Sequence, residues 1–111
     1  MTLTLPLPPS ANVYWRMWRN RMVVSTEAKN YKIAAGWQAK AAGVEPLRGP
    51  VAVTMHVYRA RKAGDLDNKI KCLFDALNGI AWEDDSQVVE LHAYMHDDKN
   101  APRVEIEMQD K

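Results

Sequence analysis

The sequence predicts an α+β domain: a two-layer sandwich in which a mixed β-sheet carries two helices on one face, in the order β-α-β-α-β-β. Three observations carry this expectation. "PVAVTMHVY" (50–58) alternates apolar and mixed positions with the period of a half-buried strand. "DNKIKCLFDALN" (67–78) repeats its apolar residues with the period of a helix. Two further stretches, "SQVVELHAYM" and "RVEIEM", have strand character and are separated only by "HDDKNAP". A chain of 111 residues fits one domain over 1–111. A domain of this size buries about two-thirds of the surface its unfolded chain exposes, enough to fold without staples.

Each element has its own signals. In "TLTLPLP" (2–8) threonine alternates with leucine until the prolines stop the strand. Residues 9–24 lack periodicity and read as a long basic loop. Ser25 or Thr26 can cap the first helix, and Glu27 suits the positive end of its dipole. That helix runs to about Ala42, where Gly43 supplies the stop; Gly36 within it costs up to about 1 kcal/mol relative to alanine. In the second strand Val51, Val53, Met55 and Val57 share one face, against Ala52, Thr54, His56 and Tyr58. The loop at 59–66 is basic. The second helix places Ile70, Leu73, Phe74 and Leu77 on one side and ends at Asn78-Gly79. Cys72 falls opposite this stripe, which predicts exposure or a subunit contact. The last two strands are expected to pair as a hairpin around "HDDKNAP".

The net charge of +1 conceals an asymmetry. Residues 1–62 hold ten Lys/Arg and two acids, while residues 63–111 hold five Lys/Arg and twelve acids. A basic half attracts polyanions, and a dense acidic half can hold cations; equally, the halves can neutralise each other in the fold. The single cysteine excludes an internal disulfide framework and fits a reducing compartment. The opening "MTLTLPLPPS" lacks a basic segment and is broken by prolines, so no signal peptide is expected. No apolar run approaches the roughly 20 residues of a membrane helix. The expectation is a cytoplasmic protein with no membrane partner.

Asp65, Asp67 and Lys71 converge at the start of the second helix. Asp67 could serve only as its N-cap. That leaves Asp65 idle beside a like charge, which is unfavourable without a cation. Lys71 lies four residues after Asp67 on the same side; it is either a surface ion pair worth about 0.3–0.5 kcal/mol or an ammonium held near a phosphate. "WEDDSQVV" (82–89) adds Glu83, Asp84 and Asp85 just before a strand. If that strand pairs with 50–58, the Asp65 loop could lie close to Asp85. Three carboxylates with water and phosphate oxygens make a hard oxygen site suited to Mg²⁺. An EF-hand is excluded, since Ile70 and Ala76 stand where its glycine and glutamate belong. His92 and His96 with one cysteine are too few for structural zinc.

In "YWRMWRNR", Tyr14, Trp15 and Trp18 alternate with Arg16, Arg19 and Arg21. Aromatics of this kind stack on unpaired bases while arginines meet phosphates, or the tryptophans anchor the loop in the core. Arg59, Arg61 and Lys62 extend the basic surface.

Taken together, "GDLDNKIKCLFDAL", "GIAWEDDSQVV" and "LPLPPSANVYWR" resemble the RusA family of Holliday-junction resolvases over nearly the whole chain. The resemblance implies a small α+β homodimer that cuts four-way junction DNA with Mg²⁺. It places the catalytic, metal-holding aspartates at Asp65, Asp67 and Asp85 and the essential lysine at Lys71. The resemblance favours Asp85 over Asp84, because the family uses the second acid of this pair, directly before the x-Q-V-V run. Two other readings remain at this stage: a non-catalytic branched-DNA-binding protein, and a metal-dependent phosphotransfer enzyme with a small substrate.

Reversing Arg16, Arg19 and Arg21 to glutamate is expected to weaken junction binding and flatten its salt dependence. Each lost phosphate contact should lower the log–log salt slope by about 0.9 on duplex arms. An unchanged slope in a binding titration would place the DNA surface elsewhere.

Overall fold

A computed structural model describes residues 2–9, 15–18, 21–24, 26–61 and 66–111. Its elements are β1 (Thr2–Leu5), β2 (Trp15–Trp18), β3 (Arg21–Val24), α1 (Thr26–Ala41), β4 (Val51–Arg59), α2 (Leu66–Leu77), β5 (Val88–Asp97) and β6 (Arg103–Asp110), with a single 3₁₀ turn at Asp85–Gln87 before β5. The α+β class and the order of the main elements agree with the sequence. Within 9–24, however, β2 and β3 pair antiparallel, with Trp15 opposite Val24, instead of forming a loop throughout. Tryptophan and valine are strand formers, and four-residue strands are too short to show a period.

The main sheet has the order β1-β6-β4-β5. β4 is its most apolar strand: Val51, Val53, Met55 and Val57 are fully buried. It therefore takes a central place, antiparallel to β6 and parallel to β5. The expected β5–β6 hairpin does not form, because β4 lies between the two strands. The chain passes over the end of β4, where the Asp98 N–H donates to the Arg59 carbonyl at 2.9 Å. The Asp98 carboxylate accepts from the amides of Asn100 and Ala101, which shapes the crossing. A loop sequence shows that the chain turns, not how many strands it steps across.

α1 packs through Ala28, Tyr31, Ala35 and Ala39. Its start is tied to the end of β1 by the Tyr31 hydroxyl, which donates to the Pro6 carbonyl at 2.7 Å. α2 buries Leu73 and Leu77. Cys72 is buried too, at 2 % exposure, contrary to the expectation of an outward thiol. A second helix lies against that flank of α2, so α2 has two buried sides instead of one. Burial pushes the Cys72 thiol up to about 12, which leaves it protonated and unreactive at neutral pH. Among the described residues, no helix is long and apolar enough to cross a membrane.

After α2 the chain makes a tight turn. Gly79 takes φ +79°, a conformation that other residues adopt only with strain, and its N–H donates to the Trp82 carbonyl at 2.7 Å. Trp82 is fully buried, meets Phe74 edge to face at 5.4 Å, and donates from Nε1 to Asn78 Oδ1 at 2.7 Å. This plug fixes the segment that leads to Asp85.

Candidate functional site

α2 begins at Leu66, so Asp67 lies in its first turn instead of capping it. Asp67 and Lys71 are both exposed, one helical turn apart. A carboxylate in a first turn is favoured by the helix dipole, and exposure leaves it open to a ligand. Between them, Lys69 points the other way. It is 5 % exposed and donates to the Pro8 carbonyl at 3.3 Å. Burial holds its pKa below the ordinary lysine value. This contact ties the chain leaving β1, which leads toward Tyr14, to the first turn of α2. Spacing alone could have found it, since Lys69, Cys72 and Ala76 recur at i, i+3, i+7 on the flank that α1 covers.

The acidic turn before β5 divides its work. Asp84 is the N-cap of the 3₁₀ turn and accepts from the Ser86 amide at 3.0 Å. These hydrogen bonds hold its carboxyl below the usual range. Gln87 completes the capping box: its Oε1 accepts from the Glu83 and Asp84 amides at 2.8 and 2.9 Å. Its Nε2 donates to the Leu47 and Gly49 carbonyls, both at 2.9 Å. One amide thus uses two acceptor and two donor positions to clamp the turn against the segment that enters β4. The Asp-x-x-Gln spacing is the sequence signal for this clamp. Asp85 is partly exposed, and its carboxylate has no hydrogen bond or ion pair to the described residues, so it is available to a ligand.

The parallel register decides how these groups stand to one another. Val51 pairs with Val88 at one end of the ladder and Arg59 with Asp97 at the other. Asp85 precedes Val88, beside Leu47 and Gly49. Asp67 belongs to the opposite end: Lys69 meets Pro8, beyond Leu5, and Leu5 pairs with Val104 and Val104 with Val57. The two strands do pair, which was the condition for bringing the acids together, but parallel pairing carries Asp85 away from the start of α2. The 12-residue helix alone spans about 18 Å, whereas Mg²⁺ takes its oxygen ligands at about 2.0–2.1 Å. Among the described residues, which do not include Asp65, no group of three or more potential metal ligands comes together.

Of the predicted DNA-contacting residues, Arg59 is tied to Asp97 at 2.7 Å, while Arg61 is exposed. Tyr14, Arg19, Lys62 and the aspartate Asp65 lie outside the described residues, as do the side chains of Trp15, Arg16, Trp18 and Arg21. His56 and His96 face each other on the open side of the sheet, with Nδ1 and Nε2 2.8 Å apart, and stack between Tyr94 and Tyr58. His92 lies 3.4 Å from Glu90.

A family model described as "Endodeoxyribonuclease RusA" matches residues 6–109. Among curated proteins, the crossover junction endodeoxyribonuclease RusA of Escherichia coli K12 is 39 % identical over 92 residues, covering 80 % of this chain and 77 % of the relative. The same-named proteins of Shigella sonnei and Enterobacteria phage 82 are 38 % and 37 % identical, covering 80 % and 79 % of this chain and 77 % and 76 % of the relatives.

Gln87→Ala should lower stability by about 1–3 kcal/mol, since four backbone groups lose their partner. It should also speed hydrogen exchange at the Glu83 and Asp84 amides. Gln87→Glu should not restore the clamp, because its carboxylate would face two carbonyl oxygens. Unchanged exchange in Gln87→Ala would show that the turn holds without it.

Proposed function

Because the chain belongs to the RusA family of endodeoxyribonucleases, we propose that it is a Mg²⁺-dependent endonuclease that resolves four-way DNA junctions by paired phosphodiester hydrolysis in the cytoplasm. The observation that carries this reading is the division of labour among its acids. Asp84 is consumed by a turn, whereas Asp85 and Asp67 are left accessible, with Lys71 one turn beyond Asp67.

The donor set suits Mg²⁺, a hard ion bound by one or two carboxylates, water and phosphate oxygens. Asp65 and Asp67 would hold it at the start of α2, and Asp85 would complete the set. Their separation within one chain requires two copies. β5 is an edge strand of the sheet, and it exposes Val89 at 60 %, Leu91 at 38 % and Tyr94 at 47 %. Among the described residues nothing pairs with its other side. An exposed apolar edge is a template for pairing. Two copies joined antiparallel along β5 would form a two-fold homodimer and bring Asp85 of one toward the α2 start of the other. The buried Cys72 supplies no such contact.

When bound, Mg²⁺ supplies Lewis acidity at the scissile phosphate. The protein's part is to place that phosphate. Lys71 stabilises the charge that builds on its oxygens or on the leaving oxygen. The Arg16, Arg19 and Arg21 segment, with Arg61 and Lys62, attracts the arms, and Tyr14 and Trp15 meet bases opened at the branch. A dimer presents two such sites to two symmetric strands.

Asp65→Asn, Asp67→Asn and Asp85→Asn should each abolish cleavage of a synthetic junction while keeping fold and binding, since the amide retains the shape without the charge. Lys71→Ala should slow cleavage and keep metal binding. Normal cutting by all three asparagine variants would refute the site. Junction binding with no cutting, in Mg²⁺ as in EDTA, would favour a non-catalytic binding protein.

On a plasmid that extrudes a cruciform, paired incision should yield linear DNA directly. Accumulation of nicked circles, with a monomer in sedimentation, would contradict the dimer.

A further inference from the structure

The solvent side of α1 carries a surface that neither the fold nor the proposed site uses. Ile33 is 60 % and Trp37 70 % exposed. They stand four residues apart on one line of the helix, opposite the buried Ala28, Tyr31, Ala35 and Ala39. Lys29, Lys32 and Lys40 flank them, all exposed, and no ion pair among the described residues engages any of the three. Beside Trp37 a shallow groove of about 240 Å³ runs between α1 and the turn after α2, lined by Lys32, Ile33, Gly36, Trp37, Lys40 and Ile80. Gly36 lets the two elements close up here: a Cβ at this position would come within 2.9 Å of Ile80 Cδ1. Among the described residues, no acid lines the groove.

We propose that this face of α1 is a second DNA-contact surface, which grips the sugar–phosphate backbone of a duplex arm at a distance from the cleavage site. The proposal rests on the reading of the protein as a junction endonuclease. Charge selects the occupant. A second copy docked face to face would set three ammonium groups against three, which is unfavourable at an isologous contact. A polyanion meets them with the opposite sign. Lys29 and Lys40 are about 16 Å apart along the helix axis, a span that reaches phosphates about five base pairs apart on one strand. Ile33 and Trp37 lie between them and fit against the apolar faces of the deoxyriboses, where contacts fix register without reading sequence. α1 and α2 run in the same direction, since Tyr31 and Lys69 both meet the end of the β1 segment and Gly36 meets Ile80. Trp37 therefore lies about 15 Å down the helix layer from the level of Asp67, along an arm instead of at the branch.

The test measures binding of a four-way junction to the full-length Asp67→Asn protein across a salt series, with Lys29→Glu, Lys32→Glu and Lys40→Glu combined, or Trp37→Ala alone, added to it. The triple variant should bind at least tenfold more weakly at low salt, with a log–log slope shallower by about 2–3. Trp37→Ala should bind several-fold more weakly with the slope unchanged. In the cleavage-competent protein, neither change should alter the single-turnover cutting rate at saturating enzyme. Thermal melts confirm folding, which these exposed positions should not disturb. Unchanged affinity and slope overturn the proposal. Unchanged DNA binding with altered sedimentation assigns the face to protein contact and overturns it as well. If the parent protein binds no junction DNA, the endonuclease reading itself falls, and this inference with it.

Discussion

The parallel pairing of β4 with β5 is the constraint on which the rest of the molecule depends. Two parallel neighbours need a crossover, and α2 is that crossover: it starts beyond the Arg59 end of β4 and returns the chain to the Val51 end. Everything in the site follows from this path. Asp67 stands where the crossover begins, and Asp85 stands where it ends. The Trp82 plug, the Gly79 turn and the Gln87 clamp all lie at the lower end, where they make the return tight. The same topology leaves β5 at the edge, the position from which a second copy can supply what one chain separates.

The charge asymmetry acquires a spatial meaning. Much of the acidic half is used internally: Arg103 is paired with Asp98 and Glu105, Lys111 with Glu90, and Arg59 with Asp97. These pairs lie on β4, β5 and β6, the loop between β5 and β6, and the C-terminal Lys111, and being partly exposed they add little stability each. The lysines of α1 have no such partners among the described residues, and they remain available to an external polyanion. Neutralisation within the fold accounts for the strands, therefore, and not for Lys29, Lys32 and Lys40 of α1.

Local structure was legible in the sequence, and long-range arrangement was not. The alternation at 51–57 and the i, i+3, i+4, i+7 set on α2 report which side of an element is buried, and the structure agrees for Val51, Val53, Met55, Val57, Leu73 and Leu77. Cys72 was misjudged because a single stripe cannot show that α1 covers a second flank. The β5–β6 hairpin was misjudged because adjacency in sequence favours adjacency in space only as a tendency, and the burial of β4 overrode it. In the site, the one-turn spacing of Asp67 and Lys71 was readable, whereas the preference for Asp85 over Asp84 came from the family resemblance. The distance between Asp67 and Asp85 was not readable, because strand direction sets it.

A mixing experiment tests most directly whether the catalytic set is divided between two chains. Asp67→Asn and Asp85→Asn proteins, each inactive alone, are co-refolded to allow subunit exchange and given a synthetic four-way junction with Mg²⁺. In a shared arrangement, one site of the mixed dimer carries both substitutions and the other carries neither. Nicking of one strand should then return, to at most about half of the mixed dimers' wild-type site number. If each chain holds its own complete site, every site in the mixture carries one substitution, and no cleavage will appear at any ratio.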